Sequence, residues 1–180
     1  MFTLGRLSAD SAALRTELLA PPTLAALEAA GLLEAVGVVE IDPDISDTDA
    51  TQTAFGLARD TLANCVVVGG KREGVERIAA CLILATTRAD VNNVVKRLLD
   101  LRKASFLPTE RAVALTGMEY GGITPVGLPS GWPILIDHRV VQSDVLVIGS
   151  GLRRSKLLIP GALLAQLAGV QIVEGLGLIA

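Results

Sequence analysis

Asn64-Cys65-Val66-Val67-Val68-Gly69-Gly70-Lys71-Arg72-Glu73-Gly74-Val75-Glu76-Arg77-Ile78-Ala79-Ala80-Cys81-Leu82-Ile83-Leu84-Ala85 is the stretch on which the fold class turns. Two runs rich in Val, Ile and Leu flank a Gly-Gly-Lys-Arg-Glu-Gly turn, the pattern of a β-hairpin. Downstream, Asp90 is placed to cap a helix over about 91–101, with Val91, Val94, Val95, Leu98 and Leu99 on one side. Lys103–Phe106 reads as a short strand. Thr109 caps a helix from Glu110 to Thr116, and Gly117 suits its C-terminal end. Strands follow at Pro133–Asp137, Val145–Ile148 and Lys156–Ile159, with a turn over Gly149–Gly151 between the last two. Pro160 opens a final helix to about Leu167, and Val170–Gly175 reads as an edge strand. Upstream, residues 9–20 read as an amphipathic helix stopped by Pro21-Pro22, residues 23–31 as a second helix, Val36–Ile41 as a strand and roughly 50–60 as a helix. Hairpins mixed with helices, without regular βαβ alternation, indicate an α+β fold with a mixed, mainly antiparallel sheet. Residues 46–180 are expected to form one domain, with residues 1–45 as a helical extension packed on it.

Composition narrows the function classes. The chain has 180 residues, enough for one domain with a real core, and is 51% hydrophobic but only 3% aromatic. Ala, Val, Leu and Ile must therefore build the interior. No apolar run approaches the roughly 18–20 residues that span a bilayer. The N-terminus lacks a basic start followed by an apolar block, so the cytoplasm is the expected compartment. Cys65 and Cys81 lie in apolar strands outside any CxxC pair, and the only histidine is His138, which argues against zinc. Reduced core thiols are expected. Net charge is −3, unlike a protein that coats nucleic acid, yet the charge is uneven. Residues 1–64 hold Arg6, Arg15 and Arg59 against ten carboxylates. Residues 71–103 hold Lys71, Arg72, Arg77, Arg88, Lys96, Arg97, Arg102 and Lys103 against Glu73, Glu76, Asp90 and Asp100. A second cluster is Arg153, Arg154 and Lys156. Such clusters are solvated faces, or a local patch that contacts phosphate.

The densest turn chemistry lies in Leu115-Thr116-Gly117-Met118-Glu119-Tyr120-Gly121-Gly122-Ile123-Thr124-Pro125-Val126-Gly127-Leu128-Pro129. Glycine permits φ > 0 and close approach of a ligand to bare backbone; proline fixes the bend. Such a loop either turns the chain or aims backbone N–H groups at an anion or developing oxyanion. The run resembles the signature T-G-[YF]-x-x-G-G-[IV]-[ST]-P-x-G of the YbaK/EbsC family, the editing domains associated with prolyl-tRNA synthetases. Thr116, Gly117, Gly121, Gly122, Thr124, Pro125 and Gly127 fit it, as does the following Trp132–Asp137 strand. The resemblance spans roughly residues 46–168. It implies a YbaK-like, barrel-like sheet surrounded by helices.

It also implies hydrolysis of the ester between an amino acid and the 3′ end of tRNA, with aminoacyl-tRNA as substrate, possible association with a synthetase, and no cofactor, DNA or membrane partner. On that reading Gly121, Gly122 and Thr124 present N–H groups to the carbonyl, and the Thr124 hydroxyl orients ester or water. Asp137 orients the substrate's amino or hydroxyl group; its other reading is a cap for the next turn. Tyr120, Ile123, Pro125 and Gly127 complete the loop side of the substrate pocket. Gly149, Ser150 and Gly151, followed by Arg153, resemble the family's second glycine turn, which borders the same pocket; read alone they form a generic hairpin. The basic residues between 71 and 103 would contact tRNA phosphates. No Ser-His-Asp arrangement is present. His138 directly follows Asp137, and neighbouring strand residues point to opposite faces.

The family's deacylases carry a lysine at the start of the first hairpin strand, and here Asn64 stands in its place. Asparagine donates and accepts hydrogen bonds but brings no positive charge. Lys71, in the expected turn, lies too far along the strand to replace it. The resemblance therefore supports two readings: a deacylase acting in trans, or a module that binds tRNA ends, nucleotides or a synthetase without hydrolysis.

Overall fold

The hairpin is formed by β4 (Ala63–Arg72) and β5 (Val75–Leu84), antiparallel with Arg72 opposite Val75. Its turn is only Glu73-Gly74, both at positive φ (51° and 80°), the two-residue geometry that matches strand twist. Gly69 and Gly70, expected in the turn, instead lie inside the strand. A Cβ on Gly70 would overlap the Lys103 carbonyl oxygen, so glycine is needed because the chain after residue 100 crosses there. Cys65 pairs with Leu82 and Cys81 with Val66, which puts the two thiols on opposite faces of the hairpin. Both are free, as expected.

The computed structural model describes residues 1–179. Around the hairpin, one sheet has the order β11 (Val170–Val173), β8 (Ile134–Asp137), β5, β4, β7 (Ser105–Phe106). The β11–β8 and β8–β5 pairs are parallel; the rest are antiparallel. A second, antiparallel sheet has the order β1 (Phe2–Leu4), β2 (Leu7–Ser11), β3 (Gly37–Glu40), β10 (Ser155–Ile159), β9 (Leu146–Gly149). A parallel bridge from Leu62 to Val147 joins the two sheets where β4 meets β9. A two-stranded ribbon of β6 (Thr87–Ala89) and β12 (Gly177–Ile179) completes the strands. The fold is α+β, a curled and mainly antiparallel half-barrel with helices around it, as expected.

The main core lies between the sheets. Leu82, Ile136, Leu146, Ile148, Leu157 and Ile159 fill it, and Leu18 and Leu27 cover it. Leu27 belongs to α1 (Pro21–Ala30), which ends on Gly31 in the left-handed conformation. Pro21-Pro22 opens this helix and does not stop an earlier one; a proline at the first helical position loses no hydrogen bond. Residues 9–20 are correspondingly not helical. Leu7 and Ala9 are buried while Ser8 and Asp10 are exposed, a period of two that pairs β2 with β3. Short 3₁₀ turns at Ala12–Leu14 and Thr16–Leu18 come next. The first 45 residues thus contribute three strands to the second sheet.

The remaining helices are short. α2 (Thr48–Phe55) is capped by Asp47, whose carboxylate accepts the Ala50 N–H at 2.8 Å. The segment after Asp90 opens as a π-turn over Val91–Val95 and continues as α3 (Lys96–Leu98), with Val91, Val95 and Leu99 packed on the first sheet. α4 (Thr109–Thr116) ends on Gly117 at φ 67°. α5 (His138–Val141) and α6 (Gly161–Leu164) are single turns.

Candidate active-site cleft

A cleft of about 470 Å³ opens at the seam between the sheets. One wall is Leu62 with the start of β4, from Ala63 to Val67, and the end of β9, from Val147 to Gly149. Leu107, Thr109 and Ala112 close one side; Ser46, Asp47, Thr48 and Thr51, at the start of α2, close another. Tyr120, Gly121 and Ile123 from the glycine loop, with Lys156 from β10, complete it. The volume suits a small organic group, with apolar walls and a few polar atoms to orient it.

The glycine loop is held by backbone contacts on its far side. Gly122 N–H donates to the Glu119 carbonyl at 3.0 Å, and Gly151 N–H donates to the Gly122 carbonyl at 2.8 Å. A Cβ on Gly122 would fall 2.6 Å from the Leu152 carbonyl group, and one on Gly149 would overlap the Gly122 carbonyl oxygen. Gly127, at φ 89°, lies against the Pro22 carbonyl, which a Cβ would likewise overlap. The loop therefore packs on the turn after β9 and on the first turn of α1. Among the described residues, the N–H groups of Gly121 and Ile123 donate to no protein acceptor, and both residues line the cleft.

Of the residues singled out in the sequence, Asn64, Tyr120, Gly121, Ile123 and Gly149 come together on the cleft. Arg153 stands at its edge, its guanidinium 5.5 Å from the centre of the Tyr120 ring and its Nε donating to the Pro43 carbonyl at 3.0 Å. Gly122, Thr124, Pro125, Gly127, Ser150 and Gly151 lie behind the wall. The Gly122 N–H, expected to face substrate, is already bonded to Glu119. Ser150 is fully buried, its hydroxyl 2.7 Å from that of Ser155. The Thr124 hydroxyl is buried with no hydrogen-bond partner among the described residues.

Asp137 does not line the cleft. Its carboxylate accepts the Arg139 N–H at 3.0 Å, the Arg139 guanidinium at 2.7 and 2.9 Å, and the Gly177 N–H at 2.7 Å. Burial would raise this carboxyl; the Arg139 side chain and the Gly177 and Arg139 N–H groups outweigh it and hold it below the usual range. Of the two readings of Asp137, the capping of a turn matches these contacts. His138 begins α5, its Nδ1 buried and unpartnered among the described residues and 3.7 Å from Asp137. In the basic segment, Arg72 and Arg77 share Asp100, while Lys71, Arg88, Lys96, Arg97, Arg102 and Lys103 make no ion pair among the described residues.

Three parts of the site escaped the sequence reading. Ser46, Asp47 and Thr48 reach the cleft because α2 starts against β4, where the Thr48 hydroxyl donates to Asn64 Oδ1. Phe106, 59% exposed, stands on the rim, as does Tyr120, which the sequence reading did include and which is 62% exposed. Lys156 is the third. Its Nζ donates to the Ser46 carbonyl at 2.6 Å and to the Gly121 carbonyl at 3.4 Å. Burial brings the ammonium down to about 8; Asp47 opposes this and Arg153 reinforces it. In the sequence Lys156 is the one charge in the run Ser155-Lys156-Leu157-Leu158-Ile159; that the whole run is buried emerges only in the fold.

Comparison with known proteins bears on this cleft. The family profile described as aminoacyl-tRNA editing domain matches residues 42–167, which include every residue named as lining the cleft. No curated protein sequence matches. Among solved structures, a candidate trans-editing enzyme for prolyl tRNA synthetase superposes with a TM-score of 0.71 at 23% identity, covering 87% of this chain and 97% of that one. A scaffold protein used in computational grafting of linear epitopes gives 0.72 at 22%, covering 86% and 95%. A protein described only as hypothetical gives 0.73 at 18%, covering 84% and 96%. At these identities the likeness is one of fold.

Proposed function

Because this chain belongs to the aminoacyl-tRNA editing domain family, we propose that it acts in trans as an aminoacyl-tRNA deacylase, cleaving the ester between a mischarged amino acid and the 3′ end of tRNA. The observation that carries this reading is the cleft itself. An apolar wall from Leu62 to Val67 offers space for an amino-acid side chain, and Ser46, Thr48 and Asn64 offer polar atoms for the ribose and α-amino group. Phe106 and Tyr120 at the rim suit stacking with unpaired bases of the acceptor end. An aminoacyl ester is already activated, so positioning of water and of the carbonyl can supply most of the acceleration without a nucleophile–histidine pair. The free Gly121 and Ile123 N–H groups are the backbone donors suited to the carbonyl oxygen. The unpaired cations between residues 71 and 103 suit tRNA phosphates, and an aminoacyl-tRNA synthetase is the natural partner.

The second reading, a module that binds charged tRNA without hydrolysing it, is favoured by one observation, the neutral Asn64 where the family's deacylases hold lysine. Incubation with a panel of tRNAs, each carrying a different labelled amino acid, separates the two. Loss of ester from one or a few species above the spontaneous rate supports the deacylase. Protection of the ester, with measurable binding, supports the module.

A further inference from the structure

Lys156 is an unusual lysine. It is 8% exposed, yet no carboxylate lies within ion-pairing distance of Nζ among the described residues. Lysines are almost never buried to this extent without a partner, because the ammonium loses its hydration. Here two of its three N–H donors are satisfied by the Ser46 and Gly121 carbonyls, and the third has no acceptor among the described residues. The side chain lines the cleft from β10, as Asn64 does from β4. The carbonyl group of Gly121 holds the ammonium, and the N–H of the same residue has no acceptor among the described residues. A desolvated cation with one free donor, beside an unpaired backbone N–H, is a site awaiting a negatively charged oxygen.

Resting on the deacylase reading above, we infer that Lys156 is a catalytic residue: its free N–H donates to the ester carbonyl oxygen and stabilises the oxyanion that forms there. Water adds to the carbonyl carbon while the C=O π pair moves to the oxygen facing Lys156. When that pair returns, the bond to the ribose oxygen breaks. The proton lost by the attacking water ends, through solvent, on the ribose hydroxyl. Amino acid and tRNA are the only products. Lys156 thus brings the cleft its positive charge from the opposite sheet, where Asn64 supplies none. The charged and titratable groups around the ammonium are Asp47 from the cap of α2, Arg153 from the turn before β10, Tyr120 from the glycine loop and Cys65 from β4.

The test compares wild type with Lys156→Met and Lys156→Arg on the tRNA species that wild type clears. An oxyanion role predicts that K156M loses about 100- to 1000-fold in kcat while KM stays within about threefold. K156R, with a cation of different shape, recovers part of that loss. A structural role in tying Ser46 to Gly121 would instead lower thermal stability and leave the folded fraction turning over normally. Should K156M fail to fold, the pH dependence decides: kcat/KM of wild type should fall as pH rises through about 8. That fall should be absent in K156R, whereas titration of the substrate's own amino group is common to both. Folded K156M with near wild-type kcat, or identical pH profiles for wild type and K156R, would overturn the inference while leaving the deacylase intact. A wild type that clears no charged tRNA overturns the deacylase reading and this role with it.

Discussion

The Thr48 hydroxyl donates to Asn64 Oδ1 at 2.5 Å, tying the first turn of α2 to β4 on the lining of the cleft. With Oδ1 accepting from Thr48, the Asn64 amide NH₂ is oriented as a donor in a half-buried position. Asn64→Ala removes that donor and frees the Thr48 hydroxyl. It should lower kcat/KM by about tenfold, the scale of one hydrogen bond, with little change in melting temperature. Asn64→Asp keeps the Thr48 contact and the shape but brings a negative charge into the cleft that Lys156 also lines, where it opposes the substrate's phosphates. It should be slower than N64A in single-turnover assays. An N64D protein as active as wild type would show that Asn64 does not face the reacting ester.

The contact between the glycine loop and the turn after β9 makes a prediction about stability. A Cβ on Gly122 meets the backbone of Leu152 at 2.6 Å, and backbone cannot swing aside as a side-chain end can. Gly122→Ala should destabilise by about 1–3 kcal/mol or more through overpacking. Gly131 is the control: its φ is 85°, but a Cβ there would meet nothing within 4 Å among the described residues. Gly131→Ala should cost only the conformational strain, about 1–2 kcal/mol. Urea midpoints of the two variants compare contact with strain directly. Loss of activity in G122A would then be traced to a displaced loop and not to a blocked substrate.

Phe106 and Tyr120 make a third. Their exposure places neither in the core, so alanine at either should shift stability by no more than about 0.5 kcal/mol. If bases of the acceptor end stack on them, each substitution should weaken binding by about 1–3 kcal/mol, roughly 5- to 150-fold in Kd. Filter binding of uncharged tRNA measures this without chemistry. Unchanged affinity in both variants would remove the rim from the binding surface.

How much of this was legible in the sequence depended on how local the deciding physics is. The β4–β5 hairpin and the loop around Gly121 were legible because alternating apolar runs and glycine–proline punctuation act within a few residues. The N-terminal strands were not, since Leu7-Ser8-Ala9-Asp10 is too short to outweigh the helical look of residues 11–20; pairing with β3 decides it. The ribbon of β6 and β12 joins residues about ninety apart, which no local pattern encodes. Lys156 was visible only as one of three nearby cations, because what sets it apart, burial beside the Gly121 carbonyl, is a property of the folded chain. Asp137 shows the reverse. A carboxylate ending an apolar strand suits a site or a cap equally, and the difference lies in Arg139 and Gly177.

That difference can be measured. Asp137 is fully buried and its folded carboxyl lies below its ordinary value. A depressed carboxylate contributes stability that is fully present above the unfolded value of about 3.9 and is lost as pH falls through the lower folded value. Asp137→Asn leaves the Arg139 guanidinium without its partner and should cost about 3 kcal/mol near neutral pH. The gap between wild type and D137N should then narrow in acid, as wild type gives up the contribution the variant never had. Chemical denaturation at pH 7 and near pH 3 reads both effects. Turnover per folded molecule should match wild type, because the carboxylate is spent on Arg139 and Gly177 and the cleft lies elsewhere. A fully folded D137N that cannot clear charged tRNA would return Asp137 to the site.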